Sequence, residues 1–206
     1  MWAFGIAAVL SLILYATVFD IWVLPSDDPA FTASILPTLA PGDVVLVTRH
    51  GSSPDLDYLE KCADPDAPGR FVVARVAGLT GDKIDVSRDA CRRNGHAPPL
   101  AGACEQGADM DAENPKTHEI TPLACYRTDA AALSHGILRG KADYEDDMPA
   151  VTVDANRVYL ISDDVHFHED SRDYGQIDPA TCEHIVFRLY GAAGITDGSR
   201  RFALLW

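Results

Sequence analysis

Ser34 stands in the stretch TASILPTL, ahead of an apolar residue and a Pro-Thr turn. A serine held this way can be presented rigidly from the end of an element, as a nucleophile requires, although the same stretch taken alone is an ordinary turn. A second stretch, SDDVHFHEDSRDYG at 162–175, gathers carboxylates, His166, His168 and Arg172. An imidazole titrates near neutrality and suits general-base work. Asp170 follows His168 by two residues, so on an extended strand it would share that face and orient the ring. His-x-His also suits a metal ion, but no distant third ligand is identifiable, and exposed loop histidines without a role are the plainer alternative. No cofactor is implied. A third stretch, FVVARVAGLTGDKI at 71–84, is an apolar strand pattern closing on a Gly-Asp turn. Near its centre, where a base could be held against a neighbour, stands Ala74, and a methyl group accepts no proton.

The elements that must position these residues are β-rich. DVVLV, RFVVARVAGL, KIDVS, RVYLISDD and HIVFRLYG read as strands, separated by Pro, Gly and Asp turns. GSSPDLDYLEKCADPDAPG reads as a loop, and RTDAAALSHGILRG as a short helix. The pattern predicts an all-β core over 25–88 and 157–206, split by an inserted variable lobe at 89–156. Ahead of it, MWAFGIAAVLSLILYATVF carries no charge, and the apolar character resumes after Asp20. Residues 1–24 as a helix would reach about 36 Å, enough to cross a bilayer, with Trp2 and Trp22 near the two interfaces. The first basic residue is Arg49, so the basic start of a cleavable leader is missing and an uncleaved single-pass anchor is expected.

Acidic residues outnumber basic ones by 31 to 17, for a net charge of -14. Such a surface repels nucleic acid and anionic lipid heads. Cys62, Cys91, Cys104, Cys125 and Cys182 behind an anchor suggest an oxidising, extracytoplasmic domain with at most two disulfides. Cys91 with Cys104 would close a short loop in the lobe, but the spacing does not fix the pairing.

Taken in order behind the apolar segment, SILPTLAPGDVVLV, RVAGLTGDKI and SDDVHFHEDSR resemble the boxes of the type I signal peptidases, membrane-anchored serine endopeptidases with a Ser/Lys dyad. The resemblance implies a signal-peptidase-like β core and removal of signal peptides from exported proteins at the membrane surface. The partners it implies are those precursors and, through residues 1–24, membrane lipid. Ser34 would be the nucleophile and Thr32 an oxyanion donor. Arg75 with Asp163, and Asp170 with Arg172, would brace the site. The strands around DVVLV and FVVARV would take substrate as an added strand. Three departures stand out. Ala74 occupies the position of the family's lysine base, Val165 replaces an arginine, and His168 replaces a serine that contacts the lysine. Either His168 serves as substitute base, oriented by Asp170, or the chain is a pseudopeptidase that binds export signals or membrane partners without cutting them.

Overall fold

A computed structural model describes residues 17–48, 53–87, 90–104, 107–128, 135–139 and 148–205. Most of the regular structure is antiparallel β. The largest sheet has seven strands. β1 (Phe19–Val23), β2 (Val44–Thr48), β13 (Cys182–Tyr190), β3 (Leu59–Ala63), β4 (Phe71–Gly78) and β12 (Tyr159–Ile161) follow one another across it, and β14 (Ala203–Leu204) pairs with β13. Each long strand carries β-branched or apolar residues that fit a pleated, buried surface. Along β4 the alternation divides two cores. Val73 joins Phe31, Ile35, Leu39, Val45, Val47 and Ile185 on one side, while Val72, Ala74 and Val76 join Cys62, Leu160, Ile177 and Cys182 on the other.

Residues 89–156 contribute to two smaller sheets. β7 (Leu100–Ala103), β8 (Asp109–Glu113), β9 (Ile120–Thr128) and β10 (His135–Arg139) form one. β6 (Ala90–Arg93) and β11 (Val151–Thr152) flank β5 (Lys83–Ser87) in the other. The four-stranded sheet has its own small core of Cys104, Ala112, Leu123, Cys125 and Leu138, against which Leu36 and Phe167 pack. These two residues lie two places after Ser34 and one before His168, so this sheet helps to hold both segments.

Several expectations are corrected. The anchor expected over 1–24 falls, for residues 1–16, outside the described residues. At its end, Phe19–Val23 is not helical but pairs with Thr48–Val44. An apolar run does not by itself separate strand from helix, and here the edge of β2 supplies the hydrogen-bond partners. Trp22 packs edge-on against Phe31 and Phe71, with ring centres 6.2 and 5.8 Å away. Among the described residues no helix is long and apolar enough to cross a membrane. LEKCA, taken as loop, is β3 and pairs on both sides. HGILR, taken as the end of a helix, is β10, because β9 offers it a partner over five residues; residues 129–134 lie outside the described ones.

The cysteines pair as Cys62–Cys182 and Cys104–Cys125, and Cys91 is free. The Cys91–Cys104 link does not form, since Cys104 is bonded to Cys125. Burial pushes the Cys91 thiol up to about 12, so it stays protonated and unreactive. Cys62–Cys182 spans 120 residues, and closing so long a loop removes much entropy from the unfolded chain. The double substitution Cys62→Ala/Cys182→Ala is expected to lower the unfolding free energy by about 2–5 kcal/mol, measured by urea denaturation, while Cys91→Ser leaves the midpoint nearly unchanged.

Candidate active site

Asp28 starts α1 (Pro29–Ser34) by accepting a hydrogen bond from the Phe31 N–H, and Pro29 takes the first position, where no N–H is needed. Ser34 ends this helix and is wholly buried. Its hydroxyl donates to the Phe31 carbonyl at 2.9 Å, and its own carbonyl accepts the Asp164 N–H at 3.1 Å. The first and third sequence boxes thus meet through the backbone at Ser34. Thr32 turns its hydroxyl back to the Pro29 carbonyl at 3.0 Å, a bond that directs the proton along the helix. Arg70 binds the region from outside, with Asp28 at 2.7 Å and Glu169 at 3.5 Å.

Arg75 Nε lies 2.9 Å from Asp163 Oδ1, and both side chains are almost fully buried. Arg75 also donates to the Asp57 and Leu205 carbonyls, and Asp163 accepts the Thr38 hydroxyl. Asp170 and Arg172 form a second, bidentate pair with contacts of 2.6 and 2.9 Å. Asp170 caps α2 (Ser171–Tyr174) and accepts the Ser162 N–H, while Arg172 reaches the Val165 carbonyl. Full burial alone would raise the Asp170 carboxyl, but Arg172 and these hydrogen bonds hold it below the usual carboxylate range. Buried ions persist only with such complete satisfaction. A cavity of about 480 Å³ lies behind Arg75 and Asp163, toward β6 and β10, and neither Ser34, Ala74 nor His168 lines it.

His168 bonds through Nδ1 to Asp173 Oδ2 at 2.8 Å. The carboxylate at this nitrogen is Asp173 and not Asp170. The chain turns into α2 at Ser171 instead of continuing extended, which brings Asp173 back beside the imidazole as part of a capping box. Ligand atoms of His168, Asp170 and Asp173 lie within 4.8 Å of one another, but Arg172 already occupies both Asp170 oxygens. Ala74 is wholly buried among apolar side chains of the second core.

Three further ionisable groups are buried nearby. Glu60 stands directly opposite Ala74 in the register of β3 and β4, and His184 stands opposite Glu60 on β13. Glu60 Oε1 has no hydrogen-bond partner, and burial pushes its carboxyl up to about 8. Burial also holds the His184 imidazole below its ordinary value. Asp164 turns Oδ1 to the His166 and Phe167 N–H groups, leaving Oδ2 without a partner. Burial pushes its carboxyl up to about 7 in spite of those bonds and of Arg172. The sequence signal for Asp164 was its place beside Asp163. Glu60 gives none, because the Pro, Gly and Asp residues around its strand read as a loop.

Burial pushes the Glu60 and Asp164 carboxyls from ordinary values of 4.5 and 3.8 up to about 8 and about 7 in the fold. Between those limits the folded state holds more protons than the unfolded chain, so their contribution to stability is full in acid and falls as pH rises toward 8. Glu60→Gln and Asp164→Asn are each expected to flatten the pH dependence of thermal stability between pH 4.5 and 8. Relative to the parent, the gain at pH 8 should be on the order of a few kcal/mol. Parallel pH profiles for parent and variants would count against these titrations.

Residues 1–186 match the family described as signal peptidase, peptidase S26. No curated protein matches the chain. The family match spans most of the chain and includes Ser34, position 74 and both buried ion pairs. The chain belongs to the S26 signal peptidase family and is a serine-peptidase-like protein.

Proposed function

We propose that this chain is a non-cleaving member of the family, a membrane-held domain that receives an extended segment of an exported, signal-bearing protein along its sheet. The observation that carries this is residue 74. β12 pairs only with Arg75–Gly78, so the outer edge of Phe71–Ala74 has no strand partner among the described residues. An extended peptide added there would gain main-chain hydrogen bonds. β2 offers no such edge, since β1 and β13 cover both of its sides. A cavity of about 510 Å³ between Trp22, Asp28, Phe31, Arg70 and Phe71 adjoins the open stretch and would receive a side chain of the added strand. Yet this open stretch carries a methyl where the family has its base, and the Ser34 hydroxyl is buried against Phe31 O. Residues at the start of the chain would hold it to the membrane as a single-pass protein. Two disulfides fit an extracytoplasmic face.

A second reading is favoured by one contact. The His168–Asp173 bond of 2.8 Å resembles the base-and-orienter half of a triad. In that case His168 would serve Ser34, and the protein would remove signal peptides. Incubating the detergent-purified full chain with a signal-bearing precursor between pH 5 and 9 separates the two. Equal capture by the parent and Ser34→Ala, without new products, is expected. Cleavage that rises through neutral pH and is lost in both Ser34→Ala and His168→Ala would establish the second reading instead.

A further inference from the structure

Ala74, Glu60 and His184 form one cross-strand row over β4, β3 and β13. Directly opposed residues of antiparallel strands point to the same face. The adjacent row is Val72, Cys62 and Cys182, and its disulfide prevents the register from slipping. All three members of the first row are at least nine-tenths buried, at 0, 1 and 4 % exposure. Glu60 Oε1 and His184 Nε2 have no hydrogen-bond partner. His184 Nδ1 faces the Leu59 carbonyl at 3.2 Å and lies 3.6 Å from Glu60 Oε1, and Tyr58 stacks on the ring at 4.3 Å.

Neither Lys61 nor Arg75 serves this carboxyl, and the His184 imidazole beside it is held below its ordinary value by burial. Lys61, one residue along, points to the other face, where it is bound by Glu183 at 2.7 Å and covered by the Trp22 and Phe71 rings. Arg75 also faces away, toward Asp163. The row therefore presents an unspent acid oxygen beside a methyl group, in a part of the core where a charge gains most from a partner.

We infer that Glu60 is a counter-ion in waiting for position 74, so that any amine or imidazole placed there would be captured in its charged form and could not act as a base. Opposed Cβ atoms lie about 4.5–5.5 Å apart, so a side chain of lysine or histidine length falls within reach of the Glu60 carboxylate. Each charge would then favour the other. Glu60 would give up its proton, and the cation would keep its own above the pH at which a buried base must be neutral. The missing base is thus fixed by two residues: Ala74 removes it, and Glu60 blocks its return by a single substitution. This holds whether or not the domain cuts what it binds, because it concerns only the charge at one row of the sheet.

The test is a titration, not an activity assay. The amine introduced by Ala74→Lys is followed by isotope-edited NMR, alone and combined with Glu60→Gln. Because lysine is long for an apolar core, Ala74→His is measured in the same two backgrounds. With Glu60 present, the introduced group is expected to titrate about 1–3 pH units higher than in the Glu60→Gln background, and its midpoint for histidine should lie above the ordinary value near 6.5. Equal midpoints in the two backgrounds, for whichever variant folds, would overturn the inference. That result would leave the binding assay with precursor, and the conclusion drawn from it, untouched.

Discussion

The register of β3 between β4 and β13 is the constraint on which the site depends. In a sheet, a slip of one residue sends every side chain to the opposite face. Here the Cys62–Cys182 link prevents the slip, and the Lys61–Glu183 pair marks the other face. With that register fixed, Leu59 falls in the core beside α1, while Cys62 and Ala74 fall in the second core. Arg75 is then placed on the side from which Asp163 can be reached. The position of Ser34 follows in turn, because Asp164 next to Asp163 donates its N–H to the Ser34 carbonyl.

The two buried ion pairs serve this frame before they serve any chemistry. Arg75, Asp163 and Thr38 join β4 to the segment after β12 and to the turn after α1. Asp170 and Arg172 close the loop from Ser162 to α2, with Ser162 N–H and Val165 O as additional partners. Removing one member of such a pair strands an uncompensated charge in the interior, which is strongly destabilising. These residues are needed for the fold whether or not the chain cleaves a substrate. Their presence identifies the family and says little about turnover.

What was legible in the sequence follows the same physics. DVVLV, FVVARVAG and KIDVS declare themselves through β-branched apolar runs, and β2, β4 and β5 lie within or upon them. β3 was hidden because Glu60 occupies a core slot, breaking the apolar pattern, and because Pro and Asp follow closely. β1 was hidden by the opposite cause, an apolar run that reads as helix until a neighbouring edge offers partners. The Asp170–His168 pairing assumed an extended chain, and local capping turned the segment into α2. Disulfide partners 120 residues apart are set by sheet order, which no local pattern reveals.

The departures from the family pattern form one electrostatic set. The resemblance places a lysine at 74 and an arginine at 165, and here both are apolar. Two buried acids beside those positions, Glu60 opposite Ala74 and Asp164 next to Val165, each keep one oxygen without a partner. Without a close cation, a buried carboxyl lowers its energy by taking up a proton, and burial pushes these two up to about 8 and about 7. At neutral pH Glu60 is thus mostly protonated, while Asp164 is divided between its charged and neutral forms. Acyl transfer needs preorganised charge and dipole at the point where an oxyanion develops, whereas an added strand needs only an open edge and side-chain pockets. The Phe71–Ala74 edge, without a strand partner among the described residues, offers the second.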